Sequence, residues 1–190
     1  MKKIISVFIC FTMFFSLISC NSSTADSEND GVHTQSKNPN ITSDKAVDNK
    51  LTKITWDEIT SDGVNEKLLI DSTDTEILSY VAKEVQTIVD EETEAERANP
   101  KIVITEGWTR VFKSERYKNV LDLGQSAMKP LYLIIYKSEY ASEYEYICAS
   151  ALYELSGYDF DWINSKDFLQ KFNEKIISDR QQQNSVRQAE

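Results

Sequence analysis

Hydrophobic positions recur at helical spacing through most of the chain after residue 70, and most regularly over residues 121–157. Tyr144, Ile147, Cys148, Ala151, Leu152 and Leu155 fall at i, i+3, i+4, i+7, i+8 and i+11. That spacing is one face of a 3.6-residue helix. Ser142 and Glu145 have the spacing of a capping box. Gly157 stands just past the last apolar residue, where glycine most easily closes a helix in the left-handed conformation. Upstream, Ala127, Leu131, Ile134 and Ile135 mark the buried face of a preceding helix. Ser126 is placed to cap it, and Pro130 falls in about its first turn. Residues 138–142 are a short polar bend, so the pattern predicts two antiparallel helices.

The flanking segments extend the helical reading. Thr73 with Glu76 opens a helix to about Glu91, with Ile77 or Leu78, Val81, Val85, Ile88 and Val89 on its face. Asn99 and Pro100 suit an N-cap and first helical position. The segment that follows carries Ile102, Val103, Trp108, Val111 and Phe112. Gly107 interrupts it, so either one bent helix or a turn and a helix fits. Residues 115–123 predict a short helix with Tyr117, Val120 and Leu121 inward. Tyr158 to Trp162 reads as a tight aromatic connector. Asn164 or Ser165 then caps a last helix with Phe168, Leu169, Phe172 and Ile176 on its face. Nearer the start, Thr55 and Glu58 have capping-box spacing and suggest a short helix. Leu68, Leu69 and Ile70 fit a strand or a helical turn equally. The expected fold is mainly α, a small helical array built around one antiparallel pair.

The order Leu123-Gly124, Ala127, Leu131, then Ala149, Ala151-Leu152 and Gly157 resembles a HEAT-type helical repeat. No second copy follows at a fixed period. One such pair cannot close a core alone, so the helices on either side must complete it. The run from Asn99 to Gly157 also resembles small uncharacterised proteins of Gram-positive bacteria, a resemblance that implies no activity.

At the N-terminus, Lys2 and Lys3 precede an apolar run from Ile4 to Ile18. At about 15 residues it has the length of a signal-peptide core and is too short for a comfortable membrane span. It ends in Leu17-Ile18-Ser19-Cys20, which resembles the lipobox of bacterial lipoproteins. That resemblance implies removal of residues 1–19, a diacylglyceryl group on the Cys20 thiol, and a chain held on the outer face of the cytoplasmic membrane. Each buried CH₂ contributes about 0.8 kcal/mol, so two or more acyl chains make a stable anchor. Residues 20–50 are rich in Asn, Ser, Thr, Asp and Lys and predict a flexible linker spanning roughly 30 Å. The Asn21-Ser22-Ser23 and Asn40-Ile41-Thr42 tripeptides read as chance glycosylation matches in such a protein. The helical domain is expected over residues 51–180, and residues 181–190 as a polar tail.

Charge and residue types narrow the chemistry. Residues 51–180 carry 15 Lys+Arg against 25 Asp+Glu, a net charge of −10. Such a domain repels nucleic acid and anionic headgroups, so membrane contact is expected only through the lipid on Cys20. The single histidine, His33, lies in the linker. This removes histidine-assisted nucleophilic catalysis and histidine-bound zinc from the domain. Cys148 on an apolar helix face reads as a small buried hydrophobe. No phosphate-binding loop is present, and neither a cofactor nor a metal is expected. Asp90, Glu91, Glu92, Glu94 and Glu96 read as a site for a cation or basic partner, or as a solvated helix end and loop. The absence of Gly or Asn at calcium-loop offsets favours the second. Asp159 and Asp161 form a carboxylate pair. They suit an Asx-turn near a helix N-terminus better than catalysis.

Tyrosine is the remaining candidate chemistry. Tyr146 and Tyr153 lie opposite the core stripe of the second helix, and Tyr132 and Tyr136 point away from Ala127 and Leu131 on the first. Together they read as an aromatic platform for a protein, a peptide or a glycan strand, or as contacts to helices on either side. In the second case Tyr146 and Tyr153 would meet the last helix, and Tyr132 and Tyr136 the helices before the pair. The leading expectation is a non-catalytic binding or accessory module with a protein or peptide partner. The alternatives are a carboxylate-dependent cell-wall enzyme and a structural envelope spacer.

Overall fold

Two 24-residue helices frame the molecule, α2 over Thr75–Ala98 and α7 over Ser165–Gln188. The computed structural model describes residues 54–188. Before α2 come an antiparallel hairpin, β1 Ile59–Thr60 and β2 Gly63–Val64, and a short helix α1, Glu66–Asp71. Between the long helices lie α3 Ile102–Glu106, a 3-10 helix Trp108–Lys113, α4 Glu115–Asp122, α5 Gln125–Lys137 and α6 Glu143–Ser156. The protein is mainly α-helical, as its periodicity predicts. The signal segment 1–19, Cys20, His33 and the linker 20–50 lie outside the described residues.

The α5–α6 pair is the centre. Helix α2 packs on α4, α5 and α6, and α7 packs on α5, α6 and β1. Leu131, Tyr132 and Ile135 of α5 are fully buried with Ile147, Cys148 and Leu152 of α6, Val81 and Val85 of α2, and Phe168, Phe172 and Ile176 of α7. The α6 capping box forms: the Ser142 N–H donates to Glu145 Oε2 at 2.9 Å, and the Ser142 hydroxyl reaches the same carboxylate. Gly157 ends α6 at φ 62°, ψ 15°, the left-handed cap expected of it. The C-terminus of α5 is closed from a distance. Lys166 of α7 donates its Nζ to the Ile135 carbonyl at 3.1 Å and to the Ser138 carbonyl. A cation there complements the carbonyl end of the helix dipole.

Several boundaries differ from those expected, each for a local reason. Thr55 to Glu58 open no helix. Asp62-Gly63 is a turn signal, Gly63 takes φ 119°, and the chain folds back with Ile59 opposite Val64. Glu58 is buried instead, accepting from Lys129 Nζ at 2.5 Å and Ser72 Oγ at 2.6 Å. Residues 68–70 are helical, because Asn65 caps α1 through the Leu68 N–H at 3.1 Å. Helix α2 is capped by Asp74, not Thr73: Asp74 Oδ1 accepts from the Glu76 and Ile77 N–H groups at 2.9 and 3.1 Å. Ser126 caps nothing either. Helix α5 begins at Gln125, directly after a tight turn at Gly124, so Pro130 is its sixth residue and leaves a gap in the backbone ladder.

The acidic stretch is neither loop nor open cation site. It continues α2 to Ala98, and arginines from later elements pair with two of its acids, Glu91 and Glu92. Arg110 of the 3-10 helix pairs with the buried Glu92. Arg116 of α4 donates to Glu91 at 2.8 Å and lies 3.5 Å from buried Glu84. Asn99 closes α2 rather than opening α3, its Oδ1 accepting from the Lys101 N–H at 3.2 Å. Gly107, at φ 73°, separates α3 from the 3-10 helix, which settles the two readings of that segment for a turn. Asn164 caps α7, accepting from the Lys166 and Asp167 N–H groups at 3.0 and 3.1 Å. The expected tail from residue 181 is helical as far as Gln188.

Candidate functional site

Tyr146, Ser150, Tyr153 and Glu154 stand at i, i+4, i+7 and i+8 on α6, a stripe on the side away from α5. Two segments run beside it. On one side is the 3-10 helix, whose Phe112 approaches Tyr146 with ring centres 6.4 Å apart. On the other is the connector after Gly157, whose Trp162 lies 4.7 Å from Tyr146 and whose Phe160 meets Tyr153 edge-on at 5.7 Å. Among the described residues, no helix is laid across the gap. The result is an open groove of about 400 Å³, lined by Phe112, Tyr146, Tyr153, Phe160 and Trp162, with Ser150, Glu154 and Asp161 as its polar members.

Each wall is held by contacts outside the groove. Arg110 ties the 3-10 helix to α2 through Glu92, and its other nitrogen donates to the Gly107 carbonyl at 2.9 Å. Ser114 ends that segment by capping α4, accepting from the Tyr117 N–H at 3.1 Å. Lys171 donates to the Asp161 carbonyl at 2.6 Å, and Asp167 Oδ2 accepts from the Ile163 N–H at 2.9 Å. Trp162 and Phe160 rest on Phe168 at 5.3 and 5.6 Å. The rings therefore stand on a scaffold that binding does not have to build.

The polar groups are not equivalent. Glu154 accepts from the buried Tyr117 hydroxyl at 2.8 Å, which leaves its second oxygen available. Burial and then the Glu154 carboxylate push the Tyr117 hydroxyl well above its ordinary pKa, so it stays a donor. The Asp161 carboxylate is exposed and has no hydrogen-bond or ion-pair partner among the described residues. Asp159 is exposed too and accepts from the Tyr153 hydroxyl at 3.5 Å. Neither carboxylate accepts from a neighbouring backbone N–H, so the expected Asx-turn does not form. Asn164, three residues beyond Asp161, caps α7 as the sequence predicts. No lysine or arginine lines the groove.

The four predicted tyrosines separate. Tyr132 is fully buried, donating its hydroxyl to Asn173 Oδ1 at 2.8 Å, so it cannot belong to an exposed face. Tyr136 stacks on it at 6.2 Å and is half-buried. Tyr132 also meets Trp56 and Phe172, so its neighbours are the N-terminal segment and α7, not only helices before the pair. Tyr146 and Tyr153 alone reach the groove, and Tyr146 meets the 3-10 helix and connector instead of α7. Phe112, Phe160, Trp162, Glu154 and Asp161 complete a site that the tyrosine pattern did not include. The break at Gly107 and the aromatic run after Gly157 were the signals that could have found them.

Among the described residues, no group of three or more His, Cys, Asp or Glu side chains is arranged to hold a metal ion. No helix among them is long and apolar enough to cross a membrane. Cys148 is fully buried, and burial, then the Glu145 carboxylate, raises its thiol pKa well above the ordinary value. No protein-family model matches the chain, and no curated protein or solved structure matches it either.

Proposed function

We propose that this chain is an extracytoplasmic lipoprotein, anchored by lipid on Cys20 at the outer face of the cytoplasmic membrane, whose helical domain is a non-catalytic binding module for a protein or peptide. The observation that carries the reading is the groove. Five half-buried rings stand on a fixed scaffold beside the core and are covered by no other element of the described fold. Rings give large contact area with little side-chain entropy to lose, which suits recognition. The thiol of Cys148, buried and held protonated, is a poor nucleophile, and His33 lies outside the domain. The anchor reading rests on Leu17-Ile18-Ser19-Cys20 alone.

The test is cross-linking on intact cells followed by capture through a C-terminal tag, comparing wild type with Tyr146→Ser/Tyr153→Ser after confirming its helical circular dichroism. A partner captured by wild type and lost in the variant is the expected result. Turnover of a wall substrate that disappears in Asp161→Ala would replace the reading with a carboxylate-dependent enzyme. Lipid labelling that persists in Cys20→Ser would remove the anchor.

A further inference from the structure

Resting on the binding-module reading, we infer that the groove takes a basic peptide segment, with a lysine or arginine side chain seated between its rings and the Glu154 and Asp161 carboxylates. Three observations point to that chemistry. The walls are ring faces and edges, whose faces attract an ammonium or guanidinium group. The two charged groups that line the groove are both carboxylates; one oxygen of Glu154 is already used by Tyr117, and the Asp161 carboxylate has no partner among the described residues. The buried acids Glu84 and Glu92 of α2 are each met by an arginine, whereas the Asp161 carboxylate at the mouth of the aromatic groove is met by none among the described residues.

Shape favours a peptide over a small ammonium ion. The α6 stripe from Tyr146 to Glu154 is about 12 Å long at 1.5 Å per residue. It would lie along about four residues of extended chain. A groove open to solvent along this length encloses a small ion poorly but holds an extended segment by repeated contacts. The negative charge of the domain steers a basic partner toward it and repels anionic lipid.

Calorimetric titration of the full chain in non-ionic micelles tests this, with an alternating lysine–glycine peptide of about ten residues, long enough to overrun the stripe. The expected result is saturable binding that weakens about tenfold in Glu154→Gln/Asp161→Asn, a change of about 1.4 kcal/mol. Glu139→Gln/Glu143→Gln, at the bend between α5 and α6, removes the same charge elsewhere and should bind as wild type. Equal weakening in both variants would mean general charge attraction and overturn the inference. So would no binding, or equal binding of a glutamate–glycine peptide. The cellular capture separates this failure from the wider one. A partner lost in Tyr146→Ser/Tyr153→Ser but kept in Glu154→Gln/Asp161→Asn removes the basic peptide and leaves the module. No captured partner at all removes both.

Discussion

Tyr132 on α5 and Tyr146 on α6 occupy paired helices of one unit and meet opposite surroundings. Around Tyr132 lie Trp56, Tyr136 and Phe172, and α7 closes over them. Its hydroxyl is satisfied by Asn173, and burial, the largest influence on it, raises its pKa well above the usual tyrosine value. Around Tyr146 lie Trp108, Phe112 and Trp162, an equally dense set of rings with no helix of the described fold above them. The polar groups follow the same division. The Glu58 carboxylate, just before the hairpin, is held by Lys129 and Ser72, whereas the Asp161 carboxylate, at the groove, is held by nothing in the described fold. Ring content therefore does not distinguish a core from a surface here. What distinguishes them is whether a later element covers the rings and whether each charge is answered.

The sharpest way to break that comparison is to truncate one ring on each side. Tyr132→Ala should lose about 3–5 kcal/mol in urea unfolding, the range for a fully buried aromatic. Tyr153→Ala, half-buried, should lose well under half of that. Equal losses would mean the groove rings are core. Next in size is Lys129→Ala, which leaves Glu58 buried without its cation and should destabilise by about 2–4 kcal/mol in the same assay.

Acid sensitivity sharpens the comparison from the covered side. Burial alone would raise the pKa of Glu58, but hydrogen bonds from Lys129 and Ser72 outweigh it and hold the carboxyl below its ordinary value. Glu145 behaves alike: burial is outweighed by Ser142 and Ser138. An unfolded glutamate titrates near about 4.3, so the unfolded chain takes up these protons first as pH falls. The stabilisation is present above about pH 5 and is lost as pH falls through the lower folded values. Thermal melts between neutral pH and about pH 3 should show a decline that is shallower in Glu58→Gln, and a variant no shallower than wild type would refute the assignment. Ser142→Ala, which opens the α6 cap, should cost about 1 kcal/mol in urea unfolding. The smallest effect is expected from Asp161→Asn, within about 0.5 kcal/mol of wild type, because no fold contact depends on that carboxylate.

The sequence announced the helices because their signals are local. The α6 stripe, the Ser142–Glu145 box and Gly157 all act within a few residues of one another, and all three stand in the structure as read. Boundaries set by distant partners were hidden. Helix α2 outlasts Glu91, and the arginines that meet its acids near that point, Arg110 and Arg116, come from residues far downstream. Capping-box spacing at Thr55 and Glu58 misled for the same reason, since Lys129 takes Glu58 for another purpose. Half of the groove was visible as the spacing of Tyr146 and Tyr153. The other half depends on Phe112 and Trp162 meeting Tyr146 from opposite directions along the chain. One sequence carries no mark of that meeting.

The hairpin's place on α7 has a mechanical consequence. The chain enters the described domain at Ile54, and the Trp56 carbonyl is gripped by Arg180, well along α7, while the Trp56 ring rests on Phe172. The groove walls Phe160 and Trp162 stand just before Ser165, at the other end of the same rod. Fifteen residues along α7, from Ser165 to Arg180, separate that grip from the start of the helix by about 22 Å. The leading chain is therefore held to the hairpin, to Lys129 and to α7 at both Phe172 and Arg180. The groove walls Phe160 and Trp162 join this segment through Phe168, which rests on Phe172, so the leading chain and the groove share one aromatic row on α7.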